Sequence, residues 1–109
     1  MNVTVTSRSK ELDPAAKEYA SDRVNRVLRV FDRLEAAQII LDQERGDHII
    51  EAIVTAPRGA RFVAHSRNKD LRTGIDAMCQ KLESQVRNWK DRLVEHRPAG
   101  SNEDPESPT

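Results

Sequence analysis

A single cysteine, Cys79, occurs in the 109 residues, so neither an intrachain disulfide nor a cysteine-built metal site is available to this fold. At the edge of a helical stripe described below, Cys79 reads as a small, partly buried apolar residue. No stretch approaches the length of a membrane span and the N-terminus has no apolar signal core, which makes a cytoplasmic protein the expectation. Aromatics are few: two Phe, one Tyr and one Trp. Tyr19, Phe31, Phe62 and Trp89 are all better assigned to the core or its border, which argues against an aromatic platform for stacking single-stranded bases. The glycines Gly46, Gly59, Gly74 and Gly100 are isolated, so there is no Gly-rich phosphate loop. His48, His65 and His96 lie on separate segments without metal-ligand spacing. No constellation for catalysis is visible, and no cofactor, metal or small-molecule substrate is expected.

Net charge is also absent, with 18 cations against 18 acids. The total hides an asymmetry. Residues 98–109 (PAGSNEDPESPT) hold no Lys or Arg and three of the acids, Glu103, Asp104 and Glu106, which leaves residues 1–97 at +3. The tail has no apolar periodicity and reads as disordered, so the expected organisation is one domain over 1–97 and an acidic tail over 98–109.

What the chain does have is a long apolar periodicity. Leu71, Ile75, Met78, Leu82, Val86, Trp89 and Leu93 fall on one stripe of a helix from Asp70 to His96, roughly 40 Å long at 1.5 Å per residue. Asp70 stands at the N-cap position, and Pro98 with Gly100 ends the run. One flank of the stripe carries Lys81, Gln85, Asn88 and Arg92, the other Arg72, Arg87 and Lys90.

Upstream, Val3 and Val5 alternate with polar residues as a short strand does. Asp13-Pro14 then starts a first helix, whose inward stripe is Ala16, Ala20, Val24, Val27 and Phe31, helped by Tyr19 and Leu28. Arg26, Arg29 and Arg33 cluster on its opposite face with Arg23 on one flank; a solvated surface and a phosphate-binding surface both fit them. Residues 36–44 and 48–56 read as a hairpin about Arg45-Gly46-Asp47, and 61–68 as a last strand after Pro57-Arg58-Gly59. The order β-α-β-β-β-α packs most simply as an α+β domain, a four-stranded sheet with both helices on one face, as in double-stranded-RNA-binding domains. Side by side, the helices would place Arg23, Arg26, Lys81, Arg87, Lys90 and Arg92 on a common outer surface. Cations spaced along rigid helices suit the phosphates of a folded RNA.

Residues 70–76 (DLRTGID), Lys81-Leu82, Gln85-Val86-Arg87 and Lys90-Asp91-Arg92-Leu93 resemble the second helix of the ribosome hibernation promoting factors, the protein Y or sigma-54 modulation family. Residues 1–8 (MNVTVTSR), Phe31-Asp32-Arg33 at the end of the first helix and Ala64-His65-Ser66 in the last strand extend the resemblance to about residue 96. It implies a protein that binds the small ribosomal subunit, in the channel between head and body, and silences translation under stress. It also implies 16S rRNA contacts at Arg23, Arg26, Lys81, Gln85, Arg87, Lys90 and Arg92, and a monomer with no membrane partner. Ser84 and Asn88 stand where that family usually has Arg or Lys, and Gly74 replaces an alanine-like residue at a cost of about 1 kcal/mol in helix propensity. The acidic tail resembles the short form, which lacks the dimerisation domain of the long form. A second reading of the same residues is a ribosome-independent interaction module, homo-oligomeric through an unpaired sheet edge.

Overall fold

The computed structural model describes residues 2–8, 13–31 and 33–95, with side chains through Arg92. The proposed tail at 98–109, Asp32 and the side chain of Leu93 lie outside the described residues. The elements are β1 (Asn2–Ser7), α1 (Pro14–Leu28), β2 (Ala36–Glu44), β3 (Asp47–Ala56), β4 (Ala60–Asn68) and α2 (Leu71–Glu95). One sheet runs in the order β1-β2-β3-β4, parallel between β1 and β2 and antiparallel thereafter. The α+β architecture and element order are those expected.

Period-2 alternation sorts the strands into two faces. Ile39, Leu41, Ile50, Ala52, Val54, Ala56, Phe62 and Ala64 are buried under the helices. Val63, His65 and Arg67 point to the open face. Both helices cover the buried face, α1 mainly over β1 and α2 over β4 and β3. Ala20, Val24 and Leu28 of α1 meet Ile75, Met78, Leu82 and Val86 of α2 in one core. Each fully buried aliphatic side chain contributes about 1.5–3 kcal/mol. Val3 and Val5 are half-buried, as befits an edge strand.

The caps follow from side-chain chemistry. Asp13 accepts from the Ala15 N–H at 3.1 Å. Asp70 accepts from the Thr73 N–H at 3.0 Å and the Thr73 hydroxyl at 2.6 Å, two bonds that hold its carboxyl below the usual carboxylate range. The hairpin turn is two residues, Arg45 and Gly46, both at positive φ, as a turn matching strand twist requires. The register therefore pairs Glu44 with Asp47, and β3 begins one residue before His48.

Two expectations are corrected. The first helix stops at Leu28, with the Arg29 N–H on the Asn25 carbonyl. Phe31 reaches the core from the connection instead, its N–H closing a tight turn on Leu28. The apolar spacing of 24, 28 and 31 extends past the helix because the turn delivers Phe31 to the same side. Gly74, read from the sequence only as a propensity cost, is a packing residue. A Cβ there would stand 2.6 Å from Ile50 Cδ1 and 3.3 Å from Asn68 Cβ, and the Ser66 hydroxyl donates to the Gly74 carbonyl at 2.5 Å. The missing side chain lets the first turns of α2 lie directly on β3 and β4.

Candidate nucleic-acid interface

The cations of α2 divide between two margins because its buried stripe is narrow. On the margin facing α1, Asp76 accepts from the Tyr19 hydroxyl at 2.8 Å and from Arg23 Nε at 2.9 Å. Arg72 lies 4.7 Å above the Tyr19 ring. Burial pushes the Asp76 carboxyl up, but the bonds from Tyr19 and Arg23 outweigh it and hold the group below its usual range. The same bond to Asp76, with burial, raises the Tyr19 phenol. Arg23 therefore joins α1 to α2, and its side chain is only 27% exposed. Further along, Arg87 pairs with Glu83 at 2.6 Å, and Lys90 lies 5.5 Å from the Phe31 ring centroid.

The opposite margin faces the outer edge of β4. Lys81 Nζ donates to the His65 carbonyl and Gln85 Nε2 to the Val63 carbonyl, each at 2.8 Å. β4 is the last strand of the sheet, and among the described residues no further strand pairs with its outer side, along which these two side chains lie. The two side chains satisfy acceptors an exposed edge would otherwise offer to another chain.

The single outer surface expected for Arg23, Arg26, Lys81, Arg87, Lys90 and Arg92 is thus corrected to two separated margins. The helical periodicity that makes them flank one stripe also turns Lys81 and Gln85 away from α1. Arg26 and Arg92 are exposed and enter no ion pair among the described residues. Lys81 has three donors and keeps two beyond its bond to the strand. The exposed Arg87–Glu83 pair is worth a few tenths of a kcal/mol, so Arg87 can exchange its partner for a phosphate at small cost. Arg33, expected on the outer face of the first helix, is exposed in the connection after α1 instead, and Arg58 and Arg61, which the sequence does not single out for binding, are exposed as well. Turn and strand positions carry no periodicity that would align them with the helical cations.

Among the described residues no group of His, Cys, Asp or Glu could hold a metal ion, and no helix is long and apolar enough to cross a membrane. Cys79 is 1% exposed, and burial raises its thiol to about 11, consistent with an apolar core role.

Residues 3–94 match the family described as sigma 54 modulation protein / S30EA ribosomal protein. The chain belongs to that family. Similar to this S30EA-family chain is a ribosome hibernation promoting factor from Azotobacter vinelandii, 30% identical over 105 residues, covering 93% of this chain and 97% of the relative. Another of that name from Klebsiella oxytoca is 26% identical over 96 residues, covering 88% of this chain and 100% of the relative. The Thermus thermophilus Protein Y N-terminal domain shares the fold with a TM-score of 0.70 at 26% identity, over 82% of this chain and 99% of that one. A Coxiella burnetii ribosomal subunit interface protein has a TM-score of 0.75 at 24% identity, over 84% and 99%, a likeness of fold.

Proposed function

We infer that this S30EA-family chain is a ribosome-associated translation inhibitor that binds the decoding channel of the small subunit, acts without chemistry and holds ribosomes inactive under stress. The observation that carries the reading is family membership over residues 3–94, together with relatives named ribosome hibernation promoting factors that align along nearly their whole length. The geometry supplies a mechanism. Arg26 on α1 and Lys81, Arg87, Lys90 and Arg92 on α2 are all exposed on helices fixed by a common core. Their charges meet rRNA phosphates at set spacings, which reads shape and backbone and not sequence. Arg23 contributes through its remaining donors while holding α1 against α2, and Gln85 lies on the margin next to Lys81. Channel occupancy excludes messenger and transfer RNA by bulk.

Four to six phosphate contacts of this kind would lose about 10²–10³-fold in affinity between 50 and 200 mM salt. The test is co-sedimentation of the purified chain with ribosomes and isolated small subunits on sucrose gradients at those two salt concentrations. Stoichiometric, salt-weakened binding to small subunits is expected; no binding even at low salt would refute the reading. The alternative, an oligomeric module joined through a sheet edge, is disfavoured at β4 because Lys81 and Gln85 already occupy its carbonyls.

A further inference from the structure

Three segments distant in sequence converge on a groove outside the two helix margins. Arg33 comes from the connection after α1, Pro57 and Arg58 from the β3–β4 turn, Ala60 from the start of β4 and Trp89 from α2. Trp89 stands at the border of the core, as expected, and is half-buried; a single indole there is not the multi-aromatic platform that the sequence argues against. Its ring meets Phe62 edge-on, with centroids 5.4 Å apart and planes at 67°, which fixes the indole while part of it still lines the groove. Arg33 and Arg58 are exposed, and neither has an ion-pair partner among the described residues. No carboxylate belongs to the described lining. Arg58 sits at φ 66 and ψ 28, a conformation glycine adopts more readily.

An anchored aromatic surface beside two unpaired guanidiniums is a chemical match for a nucleotide. A base has an apolar face that every indole accepts, and its phosphate takes the forked donors of arginine. We propose that this groove takes one unpaired nucleotide of RNA, its base against Trp89 and its phosphate between Arg33 and Arg58. The inference deepens the ribosome reading and takes the identity of the ligand from it. It differs in kind from the helix cations, which meet backbone alone and have no use for a base. One consequence is a preference for RNA with an extruded or single-stranded base over a continuous duplex of equal charge.

Trp89 is the single tryptophan, so its fluorescence reports the groove directly. The full chain is titrated at low salt with hexaadenylate, with an abasic hexamer of the same charge and with hexaglutamate, and co-sedimentation with ribosomes is run in parallel. Hexaadenylate is expected to quench Trp89 saturably and to bind about five- to a hundredfold more tightly than the abasic strand. The Arg58→Gly variant keeps the turn's backbone conformation and is expected to unfold at the same temperature or higher while binding hexaadenylate more weakly through the lost phosphate contact. Equal binding of the abasic strand, or quenching by hexaglutamate, overturns the proposal. Co-sedimentation with ribosomes but no base-dependent quenching also overturns the groove, and leaves the ribosome reading standing. Base-dependent quenching without co-sedimentation supports the groove as an RNA site and refutes the ribosome reading.

Discussion

Replacing Gly74 by alanine sets two opposed effects against each other. An alanine within α2 gains about 1 kcal/mol of helix propensity over glycine. Its Cβ would stand 2.6 Å from Ile50 Cδ1 and 3.3 Å from Asn68 Cβ, whereas carbon atoms rest about 3.5–4.0 Å apart. Ile50 is 0% exposed, so its terminal methyl has to move by about 1 Å inside a close-packed core. Such overpacking costs about 1–3 kcal/mol, and Gly74→Ala is therefore expected to destabilise by about 1 kcal/mol net. For a domain of this size that lowers the melting temperature by about 4–8 °C. Ile50→Val deletes the clashing methyl, itself at about 0.5–1.5 kcal/mol. In that background Gly74→Ala should turn stabilising by up to about 1 kcal/mol, less whatever strain remains at Asn68. Urea denaturation of the four proteins of the cycle, followed by far-UV circular dichroism, measures the sign change. A rise in the midpoint for Gly74→Ala with Ile50 intact would refute the packing argument, as would identical effects in both backgrounds.

The remaining expectations concern charge and the sheet edge. The Asp76 carboxyl is held low in the folded state, so its contribution is complete above about pH 4 and fades as pH falls through the folded value; Asp76→Asn should flatten stability against pH in that acid window and leave the slope between pH 6 and 8 unchanged. Arg26→Glu with Arg92→Glu should weaken ribosome co-sedimentation at least tenfold at low salt with no change in melting temperature, because both side chains are exposed. Arg23→Glu should lose binding and stability together, since it places a second carboxylate beside Asp76; unchanged melting would contradict the interhelical role. Lys81→Ala with Gln85→Ala uncovers the Val63 and His65 carbonyls, and light scattering should then detect more concentration-dependent self-association than in the parent chain.

Much of the fold is readable locally because its determinants are local. Asp13 and Asp70 cap helices through their own side chains. The alternation through Ile50, Ala52 and Val54 needs only a sheet with one covered face to become core. The end of α1 was less legible, since Phe31 is equally apolar on a helix or on a turn leading back to the same pocket. Gly74 was misread for a related reason: propensity is a property of one residue, whereas its value here lies in Ile50 and Asn68, 24 and 6 positions away. At the candidate site the sequence supplied the cations but not their partners. The contact between Arg23 and Asp76 spans 53 positions, and the closing of the β4 edge by Lys81 and Gln85 depends on which way α2 is rolled over the sheet. The Arg33, Arg58 and Trp89 groove joins three segments whose only common property is proximity in the fold.

Cys79 lies in the core within electrostatic reach of Arg23, Asp76 and Glu83. A thiol raised to about 11 and 1% exposed is both weakly ionised at neutral pH and sheltered from reagents. It becomes reactive when α2 lifts from α1 and the sheet. As the lone thiol of the chain, it serves as a built-in clock. The rate at which an alkylating reagent consumes it, followed across denaturant, counts the opening events of the long helix one molecule at a time. The same clock, run with ribosomes present, would tell whether docking tightens the very seam that Arg23 and Asp76 hold shut.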